Sequence, residues 1–163
     1  MNYKVQVITV SDKGSRGERV DSSGPALKKM LASEGYTVYE VIVVPDEVDA
    51  IAGAIKHAVD VQKADLVVTT GGTGLSPRDV TPEATHMVIE RDLPGFSEAM
   101  RSESYRITPH AIISRAVCGI RGRAIIINLP GSERAAVENL GFIMKAIPHA
   151  LAKLQGDQAD CGT

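Results

Sequence analysis

Leu66 to Asp79 reads LVVTTGGTGLSPRD. Its first five residues are apolar or β-branched without polar alternation, the pattern of a strand buried on both faces. Gly71, Gly72 and Gly74 then strip side chains from the chain, so it can turn sharply and backbone N–H groups can approach an anion beside the Thr73 hydroxyl. Thr81, Pro82 and Glu83 read as a helix cap, a first helical residue and an acid favoured by the helix dipole, with the helix running to about Glu90. A buried strand feeding a helix through a glycine turn is the unit of an α/β protein with a parallel sheet.

Working outward, Lys4 to Val10 predicts an earlier buried strand, followed by a polar loop from Asp12 to Asp21. Ser23 or Gly24 caps a helix with Pro25 in its first turn, ending at Gly35. Thr37 to Val44 predicts a strand stopped by Pro45, and Asp46 stands at the N-cap of a helix carrying Ile51, Ile55 and Val59. Beyond the break at Pro94 and Gly95, residues Phe96, Ala99, Met100 and Glu103 suggest another helix. Ala124 to Leu129 is a buried strand ended by Pro130 and Gly131, Ser132 caps the last long helix, and Pro148 kinks or restarts it. The order predicts a three-layer α/β sandwich with a mostly parallel central sheet, a single domain over residues 1–155 and a loose tail over 156–163.

At 163 residues one core suffices, since a chain of that size buries about 70% of its unfolded surface without disulfide or structural metal. No apolar run approaches the roughly 20 residues of a membrane span, and no secretory signal pattern opens the chain, so a cytoplasmic protein is expected. Cys118 and Cys161 are expected to be free thiols. A net charge of −2 and the absence of Trp argue against a nucleic-acid partner. Arg101, Arg106, Arg115, Arg121 and Arg123 could serve an anionic small molecule, though solvated faces account for most such arginines. The four histidines lack ligand spacing, and neither a G-x-S-x-G elbow nor a G-x-x-x-x-G-K-[ST] loop is present.

Ligands of open parallel sheets bind beyond the carboxyl ends of the strands. Those ends carry Ser11 and Asp12, Pro45 and Asp46, Thr70 to Asp79, and Pro130, Gly131 and Ser132. Carboxylates gathered on one rim repel unless a cation intervenes, and Mg²⁺ held by one or two carboxylates together with substrate phosphates resolves the conflict. Asp46 and Asp79 can each be read more plainly as helix-capping acids.

The string TTGGTGLSPRDVTPEAT, Thr69 to Thr85, resembles the signature of the molybdenum cofactor biosynthesis family, the molybdopterin adenylyltransferases of MogA type and their MoaB relatives. The similarity extends to VSDKGSRGERVDSSG, to VVPDE around Asp46, to LPGFSEAMR, to AIISRA around Ser114 and to NLPGS at Asn128 to Ser132. The resemblance implies a homotrimer and a reaction in which the terminal phosphate of molybdopterin attacks the α-phosphorus of ATP. It makes Asp46 and Asp79 the essential acids, holding Mg²⁺, and Ser114 a functional serine, although Ser114 also fits a buried helix position. Gly71, Gly72, Thr73 and Gly74 become part of the phosphate and nucleotide cradle. Asp12 is a weaker assignment, Ser11 beside it at the strand end is expected to bind substrate or nucleotide, and Pro130, Gly131 and Ser132 close the opposite side of the nucleotide pocket. An arginine that the sequence does not single out would offset charge on the departing pyrophosphate. The product would pass to a molybdenum-insertion partner. The rival readings are a noncatalytic molybdopterin-binding paralogue of MoaB type and a scaffold module; the intact acid in VPDE favours the enzyme.

Overall fold

The structure, a computed structural model, describes residues 3–157. Most of the expected tail, with Cys161, lies outside them. The chain order is β1 (Lys4–Val10), α1 (Asp12–Ser15), α2 (Ser23–Ser33), β2 (Thr37–Val38), β3 (Ile42–Val44), α3 (Val48–Lys56) and β4 (Leu66–Thr70). Then come α4 (Thr81–His86), β5 (Arg91–Asp92), α5 (Pro94–Ile107), β6 (Cys118–Arg121), β7 (Ala124–Leu129), α6 (Glu133–Ile143) and α7 (Ile147–Leu154).

The sheet runs β2-β1-β4-β7-β6-β5, with β3 also on β1. Strands β1, β2, β3, β4 and β7 are mutually parallel, while β6 and β5 turn antiparallel at one edge. Alternation along the buried strands fills both faces. Val5, Val7, Leu66, Val68, Ile125 and Ile127 meet Leu27, Leu31, Leu140 and Leu151 from α2, α6 and α7. Ile8, Val10, Val67 and Ile126 meet Ile51, Ile55 and Ala84 from α3 and α4 on the other. Each such side chain contributes roughly 1.5–3 kcal/mol when fully buried, so the two helical layers hold the sheet between them.

Several expectations are corrected. The single strand over Thr37 to Val44 is split: Thr37 pairs with Lys4 and Ile42 with Ile8, and the Gln6 amide donates to Glu40 O (2.8 Å) where the backbone ladder is interrupted. The Asp12–Asp21 loop begins as the short helix α1, capped by Ser11, whose hydroxyl accepts from Gly14 N. Helix α2 follows Ser22, with the Asp21 carboxylate accepting from Gly24 N at 3.1 Å. Glu47, not Asp46, precedes α3. Thr81 is the first residue of α4 and not its cap, because its hydroxyl is drawn to the glycine turn, and α4 ends at His86, short of Glu90. Ser132 does cap α6, and Pro148 restarts the helix as α7. Strands β5 and β6 were unforeseen; Gly122, at φ +55°, turns β6 tightly into β7. Cys118 on β6 is a free, buried thiol whose ionisation burial pushes up to about 12. Among the described residues no helix is long and apolar enough to cross a membrane.

Candidate functional site

Register levels the strand ends. Val10 lies beside Val44, Thr9 beside Thr70, and Thr70 beside Leu129, so Ser11–Asp12, Pro45–Asp46, Gly71–Gly72 and Pro130–Gly131 leave the sheet along one rim.

The glycine turn occupies its middle. Gly71 and Gly72 have φ of +106° and +65°, a region that side chains disfavour. A Cβ on Gly71 would meet the Val10 carbonyl, and one on Gly72 the Thr81 hydroxyl. Hydrogen bonds pin the turn, among them Gly71 N–H to Leu129 O (3.1 Å), the Thr81 hydroxyl to Gly71 O (2.8 Å), Thr81 N–H to Gly72 O (3.1 Å) and the Thr70 hydroxyl to Pro130 O (2.6 Å). The Gly71 amide is therefore spent on the fold. The amides of Gly72, Thr73 and Gly74 have no acceptor among the described residues, and neither do those of Gly131 and Ser132 before α6. Unpaired N–H groups at a turn and a helix start form an anion site.

Both expected acids border this turn. A Cβ on Gly72 would stand 3.2 Å from Asp46 Oδ1, and one on Gly74 2.9 Å from Asp79 Oδ2. Asp46 Oδ2 accepts from Asp12 N (2.8 Å), while Asp12 Oδ1 accepts from Asp46 N (3.0 Å), a reciprocal clasp joining the ends of β1 and β3. Arg78 closes bidentately on the Asp12 carboxylate, at 2.9 Å for Nη2 to Oδ2. Asp12 is held below the ordinary carboxylate range, first by the Asp46 amide and then by Arg78. Asp46 is pushed above that range, first by burial, with the charges of Asp12 and Asp79 adding to the effect. Asp79 Oδ2 accepts from Ser76 N (2.9 Å), which shapes the loop before α4.

Two hollows flank the turn. One, of about 600 Å³, has Ser11, Asp46, Gly71, Gly72, Asp79, Gly131 and Ser132 on its walls. The other, of about 290 Å³, is bounded by Thr73, Gly74, Pro130 and Ser114, with Arg101 and Ile113. The rim thus brings Asp46 and Asp79 together and leaves Ser114 on the other side of the turn. Ser114 is not a helix residue: it follows a 3-10 turn in extended conformation, its hydroxyl accepting from Ala116 N at 3.3 Å.

Of the arginine cluster, Arg115 organises the site without facing it. It donates to Gly74 O (2.8 Å) and Asp79 O (2.6 Å) and pairs with Glu83, lacing the turn to α4. Arg101 donates to Ala116 O, Arg106 pairs with Glu103, Arg121 pairs with Asp60, and Arg123 donates to Gln155 O. Sequence reading also missed Asn128. Its amide donates to the hydroxyls of Thr69 and Thr85 (2.9 Å each) and its Oδ1 accepts from Val117 N (3.1 Å). An Asn inside an otherwise apolar strand was the available signal, since a fully buried amide requires partners.

Among the described residues, no three His, Cys, Asp or Glu side chains are grouped to hold a metal ion. The rim fits a cation of another kind. Asp46 Oδ1 and Asp79 Oδ1 accept no hydrogen bond from the described residues, and two carboxylates completed by phosphate and water oxygens suit Mg²⁺.

Bare amides and two carboxylates beyond the carboxyl end of a mostly parallel sheet define an α/β domain of the kind that binds ligands at its strand ends. The chain belongs to the family whose model, described as "Probable molybdopterin binding domain", matches residues 6–149. It is 41% identical over 155 residues to a molybdopterin adenylyltransferase of Helicobacter pylori, covering 94% of this chain and 88% of that protein. It is 45% identical to gephyrin of Dictyostelium discoideum over 159 residues, 90% of this chain but only 22% of that longer protein. Among solved structures, the molybdopterin biosynthesis enzyme MoaB of Thermus thermophilus superposes with a TM-score of 0.89 at 44% identity, covering 95% of this chain and 98% of that one.

Proposed function

We propose that this chain is a molybdopterin adenylyltransferase, moving AMP from ATP to molybdopterin in molybdenum cofactor biosynthesis. The observation that carries this reading is the glycine turn between two hollows, with unpaired amides on it and Asp46 and Asp79 on its polar side. ATP occupies the larger hollow, its phosphates on the amides of Gly72, Gly131 and Ser132. Molybdopterin occupies the smaller one, beside Ser114, with its terminal phosphate at Thr73 and Gly74. An oxygen of that phosphate attacks the α-phosphorus of ATP. The bond from α-phosphorus to the bridging oxygen breaks, and pyrophosphate leaves with the electron pair. Such a transfer needs alignment and charge neutralisation and no protein nucleophile. Asp46 and Asp79 would hold Mg²⁺, which neutralises phosphate charge when bound.

We further propose a homotrimer. Tyr105, Ile107, Ile112 and Ile113 are 54%, 51%, 68% and 49% exposed on one short segment, and grouped apolar side chains of this kind favour self-association. A molybdenum-insertion protein would take up the product. Incubating the chain with ATP, Mg²⁺ and molybdopterin tests the activity: stoichiometric pyrophosphate release and an adenylylated pterin are expected. Tight pterin binding without pyrophosphate would mark a binding-only paralogue and end the enzyme reading.

A further inference from the structure

The larger hollow carries Asp21, Asp46, Asp79 and Glu133 on its walls and a single basic side chain, Arg19. A triphosphate would add negative charge to a wall already acidic, so the placement of cations there decides whether it binds. The neighbouring arginines are committed elsewhere: Arg16 to Glu18, Arg78 to Asp12, and Arg115 to Glu83 and two loop carbonyls. Arg19 makes no hydrogen bond or ion pair with any described residue. Its segment is anchored on both sides, by Glu18 N–H to Lys13 O (2.9 Å) before it and by the Asp21 carboxylate, which accepts from the Thr9 hydroxyl (2.7 Å) and Gly24 N (3.1 Å), after it. Between these anchors Arg19 is itself exposed and borders the hollow, and its neighbour Val20 is 90% exposed.

We infer that Arg19 binds the β- and γ-phosphates of the nucleotide and offsets the charge that builds on pyrophosphate as its bond to the α-phosphorus breaks. This rests on the adenylyl-transfer reading and names the arginine that the reading requires. The planar fork of a guanidinium matches two phosphate oxygens at once, which a lysine ammonium does not. AMP, lacking the β- and γ-phosphates, gains nothing from it.

The test is calorimetric binding of inorganic pyrophosphate, ATP and AMP to the wild-type chain, Arg19→Ala and Arg19→Lys, with pyrophosphate release measured alongside. Arg19→Ala is expected to weaken pyrophosphate and ATP binding about 10- to 100-fold and to lower kcat, with AMP binding unchanged and Arg19→Lys intermediate. Equal pyrophosphate affinity in wild type and Arg19→Ala, a parallel loss of AMP binding, or no pyrophosphate binding by wild type would each overturn the inference. Arg19-dependent pyrophosphate binding without any release from ATP and molybdopterin would uphold the contact and defeat the transfer reading instead.

Discussion

Asp12 and Asp46 grip each other's amides, yet their carboxyls depart from the ordinary range in opposite directions. Asp46 is raised, so between the unfolded aspartate value, about 3.9, and its own higher one the folded chain binds more protons than the unfolded chain. Through that window this group makes stability fall as pH rises. Asp12 is lowered, and its contribution is present above the unfolded value and lost as pH falls toward the folded one. A carboxyl-carbon NMR titration should give Asp46 the higher midpoint and Asp12 the lower; the reverse order would refute the burial argument. Asp79→Asn keeps an oxygen for Ser76 N and the same volume, so stability should stay within about 0.5 kcal/mol. Turnover should fall by at least about 100-fold, and near-normal pyrophosphate release would remove Asp79 from the chemistry. Sequence identified these acids by their place at strand ends. It could not tell that Asp46 reaches across to Asp12, because that partner lies 34 residues away in the chain.

Between elements, Asn128 joins β7 to β4 through Thr69, to α4 through Thr85, and to the segment after Ser114 through Val117. Thr85 in turn donates to Thr81 O, and Thr81 to the glycine turn, so one buried amide supports both hollows. Asn128→Ala removes three hydrogen bonds, two of them fully buried, and should cost roughly 2–4 kcal/mol, lowering the melting temperature by roughly 5–15 °C. A calorimetric shift under about 2 °C would contradict that role. Elements as a whole were unevenly legible. Lys4–Val10, Leu66–Thr70 and Ala124–Leu129 announce themselves because burial on both faces favours segments dominated by apolar and β-branched residues. Cys118–Arg121 and Arg91–Asp92 do not, being short strands at the sheet edge specified only by antiparallel pairing with their neighbours. The sharp glycine turn after Thr70 was legible from its residues, but the diversion of the Gly71 amide to Leu129 depends on the adjacent strand.

For the whole molecule, the exposed apolar segment from Tyr105 to Ile113 predicts assembly. Ile112→Glu, which adds a charge where solvent already reaches, should shift the mass in sedimentation equilibrium from three times 17.3 kDa to 17.3 kDa; a wild-type chain that sediments at 17.3 kDa would reject the trimer. That residue is remote from the core, so the monomer should keep its melting cooperativity. Cys118 gives the same experiment an internal clock. Only 2% of its surface meets solvent and its proton is held until about pH 12, so in a Cys161→Ser background a thiol-specific dye should colour the chain no faster than the central sheet comes apart.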